Sequence, residues 1–192
     1  LHIIMGLCRP KSGLITIFGE PMLVESDFIP VRSKIGLLFQ DSDDQLFCPT
    51  VLDDVAFGPL NLGRSRAEAV DIAEKILARL GISDFKQRIT HRMSGGQKRL
   101  VALAAVLAMK PEVLLLDEPT AGLDQGVKEK LIHILNSLDI SYFVISHEFD
   151  FLKAVTDKIF SMENGRILTD DEIHIHHHEH IHRHGRHPHI HE

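Results

Sequence analysis

Two apolar segments of different period stand back to back between Lys98 and Leu116, and together they set what this chain can fold into. Lys98 to Met109 is apolar nearly all round, so it reads as a helix buried on most sides. Val113 to Leu116 is a continuous apolar run of strand length, as expected in a parallel sheet covered on both faces. The strand ends in adjacent carboxylates, Asp117 and Glu118, and Pro119 stops it, which keeps both acids at the mouth of the sheet. Ahead of the helix, Met93-Ser94-Gly95-Gly96-Gln97 is a glycine-containing turn that opens it. Exposed N–H groups and the helix dipole make an anion site at such a terminus, and glycines let a phosphate approach the backbone closely.

The rest of the chain alternates in the same way. Leu14 to Gly19 and Lys34 to Phe39 read as strands, the second ending at Gln40, and Asp41 to Phe47 is a polar loop. Val51 to Phe57 begins a helix that Gly58-Pro59 is expected to break. Ser65 to Leu80 is amphipathic: Ser65 caps it, Glu68 completes a capping box, and Gly81 stops it. Gln125 to Leu138 is helical, Tyr142 to Ile145 is a second buried-type strand ending at Ser146-His147, and Phe149 to Val155 starts another helix. Phe160 to Leu168 reads as a hairpin about Asn164-Gly165. Leu1 to Leu7 reads as the end of an apolar helix, and Pro10 to Gly13 as a plain turn. This alternation indicates an α/β fold, and the mostly helical stretch from Asp41 to Met93 suggests a helical subdomain inserted between sheet strands.

Composition narrows the function classes. At 192 residues a single well-buried domain is the default. A net charge of −6, with histidines neutral, disfavours a nucleic-acid binder with a broad basic face. Cys8 and Cys48 are too few for a disulfide framework and read as reduced thiols of a cytosolic compartment. No apolar run approaches the length of a membrane span and no signal peptide is visible, so membrane association is expected to go through a protein partner.

Phosphoryl transfer to water needs positioned charge more than covalent chemistry, and the motifs supply it. Asp117 is a hard oxygen ligand for Mg²⁺, held directly or through water. Glu118 is placed to orient or deprotonate the attacking water. MSGGQ, an apolar helix, LLLDEPTAGLD and then VISH occur in one order. From Leu1 to about Thr169 the chain resembles the ATP-binding cassette (ABC) ATPases, which implies a P-loop-NTPase-like core with a mostly parallel sheet. The resemblance implies ATP and Mg²⁺ as cofactors and a second cassette, identical or not, facing the first head to tail. It implies that Ser94, Gly95, Gly96 and Gln97 contact the γ-phosphate held by the opposite subunit. By the same resemblance Gln40 senses Mg²⁺ and water, Asp124 communicates across the dimer, and His147 contacts the γ-phosphate. A narrower likeness lies in Phe39-Gln40, in DDQLF (43–47) and in TVLDDVAFGPLNLG (50–63), which look like the ATPases of energy-coupling-factor and cobalt/nickel importers. That likeness implies a transmembrane transporter subunit as partner, a place on the cytoplasmic face of the membrane, and nickel or cobalt as cargo. An apolar-plus-acidic surface beside Gln40 suits a short helix from such a partner.

The departure from the family is large: the phosphate loop with its lysine and Ser/Thr, the strand that precedes it and the upstream aromatic that stacks on adenine in the family are not in these residues. No GxxxxGK[ST] phosphate loop occurs in the 192 residues, and Pro10, which has no N–H, stands where Pro10-Lys11-Ser12-Gly13 faintly imitates one. These residues alone are therefore not expected to hydrolyse ATP. A piece of a longer, normal ATPase explains this best, since the other active-site residues are intact. The alternatives are a degenerate, non-catalytic cassette that binds metal or donates its signature face, and a soluble ABC protein of DNA repair or translation.

Residues 174–192 hold ten of the 14 histidines. This His-rich tail, 170–192, cannot bury a core and is expected to be disordered without metal. His174, His176, His177, His178, His180, His182 and His184 are imidazoles at the close spacing that binds Ni²⁺, Zn²⁺, Cu²⁺ or Co²⁺, among which the importer likeness points to nickel or cobalt; if the segment is locally helical, His174 with His178 and His176 with His180 share a face at i, i+4. Calorimetry is expected to show Ni²⁺ or Co²⁺ binding by the full chain that weakens below about pH 6 and vanishes from a chain ending at Thr169. Equal binding by both chains would remove the tail from the account.

Overall fold

The side chains that close around Leu114 and Leu116, both fully buried, come from a three-stranded parallel sheet and the helices laid on it. The structure is a computed structural model that describes residues 1–168. These fall into two compact units, residues 1–156 and the segment from Asp157 onward.

In the first unit Leu1–Leu7 makes two successive turns and no lasting helix, because Gly6 leaves the helical region at φ +68°. Strands β1 (Thr16–Ile17) and β2 (Glu20–Pro21) pair antiparallel. The single strand expected over 14–19 thus turns back at Phe18-Gly19, both at positive φ, as in the tight turns that match strand twist. Helix α1 (Phe28–Lys34) leads into β3 (Ile35–Leu38), and its apolar face gave no signal in the sequence reading.

Helix α2 (Val51–Asn61) starts at Thr50, whose hydroxyl accepts from the Asp53 N–H. It runs through Gly58-Pro59, where a break was expected. Pro59 falls in the last turn, and a Cβ on Gly58 would lie 2.5 Å from Met109 Cγ, so the glycine is a contact point with the chain just past the next-but-one helix. Helix α3 (Arg66–Arg79) carries the expected capping box: the Glu68 N–H donates to Ser65 Oγ and the Ser65 N–H to Glu68 Oε2. Hydroxyl and backbone hydrogen bonds from Ser65 hold the Glu68 carboxyl below its usual range.

Helix α4 (Gly95–Ala108) is the central element, with nine residues from Arg99 to Ala108 buried. It lies so close to the sheet that a Cβ on Gly36 of β3 would sit 2.3 Å from Val106 Cγ1. Then come β4 (Val113–Asp117), α5 (Gln125–Asn136), β5 (Ser141–Ile145) and α6 (Phe149–Val155). The strand order is β3-β4-β5, in register at Leu38↔Leu116 and Asp117↔Ile145. Each parallel step is bridged by helices, as parallel pairing requires. Strand β5 was expected to be buried on both faces, and it is not. Tyr142 and Val144 pack on the core, while Phe143 and Ile145 on the opposite face are 46% and 38% exposed. The second unit is the hairpin of β6 (Ser161–Glu163) and β7 (Arg166–Leu168) about Asn164-Gly165. No helix among the described residues is long and apolar enough to cross a membrane.

A buried carboxylate ties the start of α2 to the loops at 47–48 and at Thr90. Asp54, 4% exposed, accepts from the N–H groups of Phe47 and Cys48 and from the Thr90 hydroxyl. Burial, with Asp54 beside it, pushes the Cys48 thiol up to about 11, so it is protonated and unreactive near neutral pH. Asp54→Ala leaves those donors unmatched and is expected to cost about 3 kcal/mol in denaturant melts; a change within about 0.5 kcal/mol would show that water replaces the carboxylate.

Candidate active site

Parallel strands all deliver their carboxyl ends to one edge of the sheet, where α/β folds bind ligands. Gln40 lies two residues past β3, Asp117 is the last residue of β4, and His147 lies two residues past β5. Gln40, Asp117 and Gly95 line one cavity of about 630 Å³, together with Asp41, Lys98 and Arg99.

Glu118 and His147 meet beside it. The Glu118 N–H donates to the Ile145 carbonyl at 2.9 Å, extending the β4–β5 ladder past Asp117. Glu118 Oε2 accepts from the His147 N–H at 3.4 Å, and Oε1 lies 3.3 Å from His147 Nε2, an ion pair only when the ring is protonated. The Glu118 side chain is 15% exposed and that of His147 96%. Oε1 is closed to solvent and has no other donor, so one lone-pair site of a nearly dry carboxylate is left for a hydrogen-bond donor such as water. Glu118 also holds a backbone φ of +44°, a left-handed conformation costly for a residue with a Cβ.

The Ser94 corner opens α4. Ser94 Oγ accepts from the Gln97 N–H at 3.4 Å, and the Ser94 N–H donates to Gln97 Oε1 at 3.3 Å. Both side chains are thus used locally as a capping box. The two glycines differ. A Cβ on Gly95 would meet nothing within 4 Å, whereas one on Gly96 would come within 3.0 Å of Val127 Cγ2. Gly95 keeps the corner open, and Gly96 lets α5 pack against α4. Asp124 caps α5 by accepting from the Val127 N–H at 3.0 Å, so its carboxylate is engaged at the same junction.

Three groups escaped the sequence reading. Arg99 is buried in α4 and donates to the carbonyls of Phe39 and Gln40; a cation heading the buried run from Arg99 to Ala108 is the signal that marks it. Lys98 pairs with Asp43 at 2.5 Å across 55 residues of sequence, which no local pattern reveals. Lys128 pairs with Glu148 at 2.6 Å and holds that carboxyl below its usual range. The tail histidines named above lie outside the described residues.

Mg²⁺ keeps several waters and takes one or two carboxylates plus substrate phosphates. No group of three or more His, Cys, Asp or Glu gathers among the described residues, so Asp117, with the Gln40 amide near, fits this ion when nucleotide completes its shell. Helix α4 presents its N-terminus at Ser94, and no GxxxxGK[ST] loop occurs within these 192 residues.

Glu118→Gly frees the backbone strain and is expected to raise stability by about 1 kcal/mol, whereas Glu118→Gln keeps the strained backbone and is expected to leave it unchanged. Denaturant melts of the three chains decide it; a loss of stability in the glycine variant would mean that the carboxylate contacts outweigh the strain.

The profile of the family described as ABC transporter matches residues 1–121. A Brucella suis protein named only as one of the ABC transporter ATP-binding proteins is 52% identical over 168 residues, 88% of this chain and 70% of that protein. The cobalt import ATP-binding protein CbiO of Rhodobacter capsulatus is 46% identical over 174 residues, 88% of this chain and 62% of that protein. Among solved structures, cbiO1 of Clostridium perfringens, part of the transporter complex cbiONQ, superposes with a TM-score of 0.77 at 36% identity, covering 88% of this chain and 69% of that one. The chain thus spans 62–70% of the length of these relatives. With its family profile, its motif order and its sheet edge in agreement, the chain belongs to the ABC transporter ATP-binding family.

Proposed function

We propose that this chain is the ATP-hydrolysing part of an importer for a divalent transition metal, nickel or cobalt, working at the cytoplasmic face of a membrane. The observation that carries the reading is the meeting of Glu118 with His147 beside Asp117 at the carboxyl edge of the sheet. Bound Mg²⁺–ATP supplies the phosphoanhydride to be cleaved. Asp117 and Gln40 hold the ion, directly or through water. The Glu118 carboxylate accepts a proton from the attacking water when the edge opens to nucleotide, in a setting dry enough for the charge to act strongly. The His147 ring, almost wholly exposed, is free to turn to a terminal phosphate. The Ser94–Gln97 corner, with Gly95 open, grips the phosphate presented by a second cassette, and Asp124 faces the same seam.

The membrane partner is placed on the surface beyond Gln40. Phe47 and Phe57, 65% and 40% exposed, meet edge to face with centroids 4.7 Å apart, next to the acidic loop of Asp43 and Asp44. Such a surface suits a short amphipathic helix with basic flanks. The cobalt named for the Rhodobacter relative favours that metal or nickel as cargo. The tail, 170–192, would buffer the metal beyond an ATPase domain of 1–169. A second reading is a non-catalytic cassette that only donates its Ser94 corner, where a Cβ on Gly95 would meet nothing within 4 Å.

The two readings separate in membranes that contain the assembled transporter. Glu118→Gln is expected to lower ATP hydrolysis about 100-fold or more, with nucleotide binding retained and metal uptake lost in parallel. Hydrolysis unchanged in Glu118→Gln yet abolished in Ser94→Arg would establish the second reading instead.

A further inference from the structure

Arg99 is the only buried cation among the described residues, at 3% exposure in the second turn of α4. A desolvated cation is tolerated only where its donors are matched. Its guanidinium fork donates through Nη1 to the Phe39 carbonyl and through Nη2 to the Gln40 carbonyl. Both carbonyls lie past the end of β3 at Leu38, where the sheet no longer provides partners, so the side chain takes over the role of the ladder. Burial draws the guanidinium below the usual arginine range, and the Asp41 and Asp117 carboxylates oppose that.

The neighbouring Lys98, its side chain 14% exposed, reaches Asp43 in the same loop. The loop is closed on itself as well. Gln45 donates through Nε2 to the Leu37 carbonyl and accepts from the Phe39 N–H, and the Asp43 N–H donates to Asp41 Oδ1. Two consecutive residues of α4 therefore hold three residues of a compact loop, and the same N-terminal end of the helix is opened by Ser94.

We propose that Arg99, assisted by Lys98, is a positioning residue that fastens the Gln40 loop to α4, so that the glutamine and the Ser94 corner move as one body. Gln40 does not then swing as an independent loop: the place of its side chain at the cavity follows the helix. The inference holds whether or not these residues hydrolyse ATP, and so does its test.

Hydrogen exchange on the 192-residue chain reads it directly. The reporters are the Asp43, Gln45 and Leu46 amides, bonded within the loop, against the Ala73 and Leu77 amides in the buried face of α3. Arg99→Gln is expected to speed exchange at the loop amides by about tenfold or more while α3 keeps its rate, as loss of charge-assisted bonds to two carbonyls implies. Arg99→Lys, with one point donor in place of the fork, is expected to recover part of the protection. An equal acceleration of loop and α3 would show that Arg99 serves overall stability only, and unchanged loop exchange would show that it fastens nothing; either result overturns the proposal. Where Arg99→Gln does not fold, the same comparison on Arg99→Lys decides.

Discussion

The placement of β4 between β3 and β5 is the constraint on which the rest of the molecule depends. Its leucines are buried on both faces, Leu114 and Leu116 against one cluster and Leu115 against another. An element so enclosed cannot slip by one residue without turning its apolar side chains to the wrong faces. The register fixed by Leu38, Leu116 and Ile145 then determines where Gln40, Asp117, Glu118 and His147 emerge. Helix α4 enforces the same register by packing on the face of Leu38, Leu114 and Leu116, close enough to β3 that only glycine fits at position 36.

At that edge the structure gives up local stability. Glu118 sits at positive φ with one carboxylate oxygen shut off from solvent, and Arg99 is a cation without water. Each is held by neighbours that over-determine it: the Ile145 carbonyl and His147 for Glu118, and the Phe39 and Gln40 carbonyls for Arg99. Strain and buried charge concentrated at one end of a sheet mark the place where chemistry is prepared. At the start of α2, by contrast, the buried Asp54 is satisfied by three donors and carries no such tension.

What could be read in the sequence was what periodicity and short-range chemistry encode. The apolar run of β4, the enclosed α4, the capping box of Ser65 with Glu68 and the Asn164-Gly165 turn are local patterns, and all are present. Departures arose where tertiary packing overrode a local rule. Gly58-Pro59 continues α2 because Gly58 meets Met109, and β5 covers only one of its faces among the described residues. Position along the motif placed Gln40, Asp117, Glu118 and His147 at one edge, but the reciprocal use of Ser94 and Gln97 as a cap, the strained Glu118 backbone and the hold of Arg99 on Gln40 are three-dimensional facts without a sequence period.

In the function proposed, the sheet edge and the Ser94 corner act on one terminal phosphate from two sides of a seam. A structure of the assembled transporter trapped with Mg²⁺ and a non-hydrolysable ATP analogue tests it most directly. It should show a water about 3 Å from the Glu118 carboxylate, in line with the terminal phosphate, and the Ser94 corner of one cassette facing the phosphates bound to the other. A Glu118 carboxylate turned away from the phosphate, or a Ser94 corner on a surface that meets no second cassette, would contradict it.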